Sequence, residues 1–187
     1  MADSNITKRA LASALRELME EVPFDKIQVT HICERCNMNR KSFYYHFRDK
    51  YDLLNWIFDT EMISMIRNYT GKEPLEQYVE ILREICNYLY KNRDFYRNAL
   101  KIQGQNSFSD HFREYLRPLT KLRLVHLIGD WADDEFILDF FTDATVYAIE
   151  RWLSEKNCMS PDQFLSRLLN VVRICTNAMH KELNQGE

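Results

Sequence analysis

The chain has 187 residues, 45% of them hydrophobic and 13% aromatic, with only 4 Gly and 4 Pro; ample core material and few chain breakers favour long helices over a many-stranded fold. A formal net charge of −3 argues against a surface that is basic throughout, and no apolar run approaches the roughly 20 residues of a membrane span. The polar start MADSNITKRA is unlike a secretory signal, and an odd set of cysteines (Cys33, Cys36, Cys86, Cys158 and Cys175) points to free thiols in a reducing setting, so the expected location is cytoplasmic.

In chain order, Ile6, Ala10, Leu11, Ala14, Leu15, Leu18 and Met19 recur at three and four and predict a first helix that Pro23 closes. VTHICERC follows, with Val29, Ile32, Cys33 and Cys36 at helical spacing. Cys33 and Cys36 would share a face, but no second pair or nearby His completes a metal ligand set. They are expected to be small buried residues, with redox sensing at Cys36 the lesser alternative, and no metal or cofactor is expected. Asn37 suits a left-handed turn, and Asn39 suits the N-cap of a second short helix, RKSFYYHF.

Beyond Asp49, itself a capping residue, the helices lengthen. One runs through Ile66 and is closed by Gly71 and Pro74; the next spans about 74–91, and a shorter one about 94–102, ending near Gly104. The pattern from Ser107 to Ile128 is helical, but Pro118 inside it predicts a kink or break. Gly129 ends that helix, another spans about 133–156, and Ser160-Pro161 opens a last one to about Leu183. No strand alternation or internal repeat is present. The chain is therefore predicted all-α, about nine helices in total: an N-terminal three-helix domain over residues 1–50 containing a helix-turn-helix, then a larger helical bundle over residues 51–187.

The charge is uneven. Residues 26–50 hold six Lys/Arg (Lys26, Arg35, Arg40, Lys41, Arg48, Lys50) against two acids, whereas residues 57–187 hold 16 bases against 20 acids. The basic stretch contains the aromatic run Phe43 to Phe47. Two short helices with a tight turn and a basic second helix make a DNA-reading helix-turn-helix, whose second helix enters the major groove. Phe43 and Phe47, four apart, are expected to pack inward on Ile32, Val29 and the first helix. Arg40, Lys41, Ser42, Tyr44, Tyr45 and His46 then lie on the exposed side or its flanks. Arg and Lys pair with guanine edges, and Tyr hydroxyls reach phosphates. Lys50, at the next helix start, is expected at a phosphate.

The segment MNRKSFYYHFRDKYDLL resembles the recognition helix of TetR-family transcription regulators, with Asn37 at the turn, Met38-Asn39 at the Val-Ser position, Ser42 at the hydroxyl position, then Phe43, Tyr44, His46-Phe47 and Lys50. The strong resemblance covers about residues 8–58. Asn37 replaces the usual Gly, and Gln28 stands where a capping Thr or Ser is common. The resemblance implies Thr30, Arg40, Lys41 and Tyr45 at bases and Tyr44, His46 and Lys50 on the backbone, with Asn39 and Ser42 completing the DNA-binding set. Within the family, ICERCNMNRKSFYYHFRDKYDLLNWIF is similar to regulators of dihydroxyacetone kinase operons with a Firmicutes-type C-terminal region.

That family's C-terminal helices dimerise and often hold an effector. Here the last two helices carry apolar stripes wider than one buried face needs. Phe140, Ala144, Tyr147 and Arg151 on one, and Leu168, Val172, Cys175 and Met179 on the other, are the expected homodimer interface, with Val172 and Cys175 expected to tolerate charges without loss of the fold. Tyr78, Tyr88, Tyr96, His111, Tyr115 and Tyr147 are candidates for an aromatic pocket for a small-molecule effector, although such residues at helical spacing are more often plain core. A partner protein is the other possible signal. No catalytic motif is present, so the chain reads as a regulator rather than an enzyme, controlling a palindromic double-stranded operator as a homodimer. The alternative is a helical interaction adaptor or co-regulator with no operator binding of its own.

Overall fold

The computed structural model describes residues 2–66, 74–102 and 107–183. Among them are nine α-helices and no strand: α1 Ala2–Glu21, α2 Val29–Arg35, α3 Arg40–His46, α4 Lys50–Ile66, α5 Pro74–Lys91, α6 Arg93–Leu100, α7 Phe108–Ile128, α8 Glu135–Ser154 and α9 Pro161–Leu183. Gly71 and Gly104, expected to break the chain, lie outside the described residues. Single 3-10 turns occupy Phe24–Lys26 and Gly129–Asp133.

The described chain packs as two compact units, Met1–Ser64 with Asn92–His111, and Met65–Lys91 with Phe112–Glu187. In the first, α1 buries Leu11, Ala14, Leu15, Leu18 and Met19, the stripe that its spacing predicts. Ile6 belongs to the same pattern but is 64% exposed. Arg16 of α1 grips Glu61 of α4 with one nitrogen 2.7 and 2.8 Å from the two carboxylate oxygens, and the Tyr96 hydroxyl of α6 donates to the same carboxylate at 2.9 Å. Burial pushes the Glu61 carboxyl up, against the pull of Arg16. The Arg16 guanidinium also lies 4.3 Å from the centre of the Phe95 ring. Polar groups withdrawn from water in this way need partners, and these have them.

In the second unit, Trp152 of α8 is stacked between Tyr90 of α5 and Phe164 of α9, with ring centres 5.9 and 4.3 Å away, and its indole N–H donates to the Met159 carbonyl at 2.8 Å. Asp134 caps α8, its carboxylate accepting from the amides of Phe136 and Ile137. Ser160 caps α9 as its sequence predicts: its hydroxyl accepts from the Gln163 amide and the Gln163 side chain accepts from the Ser160 amide, both at 3.3 Å. Pro118 does not break α7, which runs unbroken on both sides of it. Phe112 and Leu116 before it and Leu124 after it are buried, while Arg113, Arg117 and Lys121 are tied to Asp143, Asp139, Glu135 and Asp133. Tertiary anchoring on either side outweighs the one lost helical bond.

Candidate nucleic-acid interface

The two helices of the reading motif are joined at Asn37, whose φ of 54° is left-handed; Asn tolerates that region better than other residues bearing a Cβ. Asn39 then caps α3, its amide oxygen accepting from the Ser42 amide at 2.8 Å and the Ser42 hydroxyl at 3.2 Å. Gln28 precedes α2, and its backbone N–H donates to His31 Nδ1 at 3.2 Å. The Thr30 hydroxyl faces Gln28 Oε1 at 3.4 Å.

The α3 faces divide as the spacing predicts. Phe43 is fully buried and Phe47 3% exposed, beside buried Ile32. Lys8 of α1 sits 5.8 and 5.6 Å from the Phe47 and Trp56 ring centres. On the outer side Tyr45 is 82% and Tyr44 50% exposed, with Arg40 and Lys41 exposed and Ser42 and His46 half-buried. Arg40 is steadied by its own helix: its guanidinium lies 5.8 Å from the Tyr44 ring centre and 3.5 Å from the hydroxyl, a four-residue spacing that suits such a pair.

The local surplus of positive charge is partly taken up by contacts within the protein. Arg35 binds Glu21 through two hydrogen bonds of 2.8 and 2.7 Å and Glu17 at 3.4 Å, joining α2 to α1; the Arg35 hydrogen bond holds the Glu21 carboxyl below its ordinary range. Lys50 is not presented outward either. Its ammonium donates to the carbonyls of Phe24, Ile27 and Asp25 at 2.7, 2.8 and 3.3 Å, which departs from the phosphate role expected of it. Arg48, which sequence reasoning counted but did not assign, has a side chain 87% exposed and its amide fixed by Asp52 at 2.9 Å. Its place one residue past His46-Phe47 was the available signal.

Cys33 is buried and Cys36 half-buried, with the Cys36 thiol 3.2 Å from the Ile32 carbonyl. Burial pushes both thiols up, toward the unreactive form.

On the second unit, Phe140, Ala144, Tyr147, Arg151 and Cys175 are exposed. A groove of about 400 Å³ runs between α8 and α9, lined by Phe140, Ala144, Ala148, Trp152, Leu168, Val171 and Cys175 among others. Of α9, Phe164, Leu165 and Thr176 are the buried residues among those described, while Val171 and Ile174 are 57% and 56% exposed. Val172 and Met179 are half-buried and pack on the cluster of Leu124, Ile128, Ala132, Leu138 and Phe141, and Val172 also lines the groove.

Of the six candidate pocket residues, Tyr96 and His111 belong to the first unit and Tyr78, Tyr88, Tyr115 and Tyr147 to the second. Tyr96 is fully buried on Glu61, and His111 Nε2 is 2.7 Å from Asp59, both pairs in the first unit. Tyr78, buried in the second unit, lies under Arg123, 5.9 Å from its ring centre; burial pushes its hydroxyl up to about 12. Tyr88 and Tyr115 are half-buried. Tyr147 is 65% exposed, in a shallow depression with Phe136 and Phe140. A separate cleft of about 610 Å³ in the first unit, bordered by Met19, Phe24, Tyr51, Asn98 and Ile102, is lined by none of the six.

A short capped helix with a buried aromatic edge and an exposed basic and tyrosine-bearing face defines a helix-turn-helix protein. Residues 11–57 match the family pattern described as bacterial regulatory proteins, tetR family, and residues 76–173 match that described as transcriptional regulator C-terminal region. The chain belongs to the TetR family of bacterial transcriptional regulators. Over 102 residues it is 28% identical to the HTH-type dhaKLM operon transcriptional activator DhaS of Lactococcus lactis, covering 54% of this chain and 53% of that one, so it spans about half the length of that relative. Among solved structures, a TetR transcriptional regulator from Streptococcus agalactiae superposes with a TM-score of 0.72 at 21% identity, over 91% of this chain and 96% of that one. A dihydroxyacetone kinase operon activator DhaS does so at 0.59 and 20%, over 94% and 97%. These share the fold. Among the described residues no helix is long and apolar enough to cross a membrane.

Proposed function

We propose that this regulator binds a palindromic double-stranded operator as a homodimer. The observation that carries the reading is the split of α3, with Phe43 fully buried and Tyr45 82% exposed beside exposed Arg40 and Lys41. Arg40, Lys41, Tyr45 and Thr30 meet base edges, and Tyr44, His46 and Arg48 meet the sugar-phosphate backbone; Asn39 and Ser42 fix the start of the helix that carries them. The DNA-reading role falls to residues 1–50, and dimerisation and effector control to 51–187. The α8–α9 groove and the exposed edge of α9 supply the dimer face through Phe140, Ala144, Tyr147, Arg151, Leu168 and Cys175. The signal is a small molecule or a partner protein, and no catalytic step is assigned. Similarity to DhaS makes a dhaKLM-type promoter the first DNA to test.

Mobility-shift titrations on that promoter and on the region upstream of the protein's own gene, at several salt concentrations, check the reading. With several phosphate contacts per dimer, the slope of log affinity against log salt is about −4 or steeper. Binding no tighter than to random competitor DNA would favour the adaptor reading instead.

A further inference from the structure

We infer that Lys50 is a positioning residue for DNA binding, an internal tack that holds the turn between α1 and α2 against the start of α4, and not a phosphate ligand. The inference rests on the operator-binding reading above. An ammonium has three hydrogens and no acceptor. Here all three have partners, the carbonyls of Phe24, Asp25 and Ile27. Those carbonyls belong to the 3-10 turn Phe24–Lys26 and the residue that follows it, and the Phe24 oxygen also accepts from the Ile27 amide. Such oxygens carry partial negative charge, and a cation is the fitting cap. The same ammonium lies 4.5 Å from the Phe24 ring centre and 5.8 Å from that of Tyr51, an aromatic seat that favours charge held away from bulk water.

Reaching a phosphate would break these bonds together and withdraw a charged donor from the part-buried carbonyls of Phe24 and Ile27. The tack spans 23 to 26 residues of sequence. It fixes the connection that launches α2 to the first residue of α4, the helices on either side of the reading helix α3 in the chain. The outward cations next to α3 are then Arg40, Lys41 and Arg48, and the backbone contact at this end of the motif falls to Arg48.

The test compares full-length wild type with Lys50→Met and Lys50→Arg for operator affinity across a salt series. A lost phosphate contact lowers the magnitude of the salt slope by about one per protomer, and Arg, as good a phosphate ligand, restores it. A lost tack lowers affinity roughly tenfold or more with the slope unchanged, and Arg does not restore it, since a planar fork cannot meet carbonyls arranged around one nitrogen. Hydrogen exchange at the Lys26 and Ile27 amides, which donate to Pro23 and Phe24, should accelerate in both variants. Should either variant fail to fold, the wild type still decides: the Lys50 ammonium should give a protected NMR signal in the free protein that operator DNA leaves in place. A changed slope with rescue by Arg, or an ammonium signal that moves on adding operator, overturns the inference while leaving the operator reading intact. A wild type that shifts no DNA overturns the operator reading instead, whatever the exchange data show of the turn.

Discussion

Arg40 and Phe43 stand three residues apart on one short helix and face opposite environments. Phe43 has no exposed surface and meets Phe47 and Tyr44 at ring-centre distances of 5.9 and 5.5 Å. Phe43→Ala should therefore cost about 3–5 kcal/mol of stability, visible as a lowered thermal midpoint with loss of all DNA binding. Arg40→Ala removes only an exposed side chain that its neighbour Tyr44 steadies. It should leave the midpoint unchanged and relax preference at one base pair by about 1–3 kcal/mol, measured by competition with single-base operator variants. A Phe43→Ala protein that stays fully folded yet binds no operator would reverse the assignment of faces. The faces were readable in advance because a spacing of four on a helix leaves little choice. The partners of the cations were not. Arg35 meets acids 14 and 18 residues away, and Lys50 meets main-chain oxygens, which no residue type announces.

Among the elements, those with strong local chemistry were legible: Asn37 at the left-handed turn, Asn39 and Ser160 at the caps. Pro118 does not interrupt α7, and the ion pairs that flank it come from α8 and the turn before it. Three cations on α7, Arg113, Arg117 and Lys121, repeat every four residues against Asp143, Asp139, Glu135 and Asp133. Hydrogen bonding from Arg117, with Arg113 beside it, holds the Asp139 carboxyl below its ordinary value of 3.8. A folded-state value below the unfolded one means that the stabilisation is in place above pH 3.8 and is lost as pH falls through the depressed value. Asp139→Asn should thus lower the thermal midpoint near neutral pH, and the gap from wild type should close as the solution is acidified below 3.8. A gap that persists undiminished in acid would mean that the ladder contributes through packing. Exposed pairs are weak, so added salt should shrink the gap as well.

For the whole molecule, the width of the apolar stripes on α8 and α9 was legible, but not which edge turns inward. Sequence alone made Val172 and Cys175 equivalent; both line the groove, but Val172 is half-buried and also packs on the inner cluster, while Cys175 is exposed. A charge at Val172 tests fold and assembly together, whereas Ile174→Asp or Cys175→Asp tests assembly. Either of the latter should give a folded monomer by light scattering at micromolar concentration with unchanged helical content, and weak operator binding, since one reading helix spans too few base pairs to discriminate. A wild type that is itself monomeric at that concentration, yet grips a palindrome tightly, would refute the dimer. Tyr side chains at helical spacing look alike in sequence whether they end beside Glu61, under Arg123 or in solvent.

The Lys50 contacts carry an asymmetry in mutational tolerance. Every acceptor is a backbone oxygen, which all residue types possess, so exchanging the side chains of Asp25 or Ile27 leaves that half of the bond formally intact. The donor has no such substitute, since the other nineteen side chains lack a compact three-hydrogen cation on a flexible stem. In a saturation library selected for operator binding, position 50 should accept almost nothing but lysine, while solvent-facing Asp25 and Lys26 on the turn it secures drift freely.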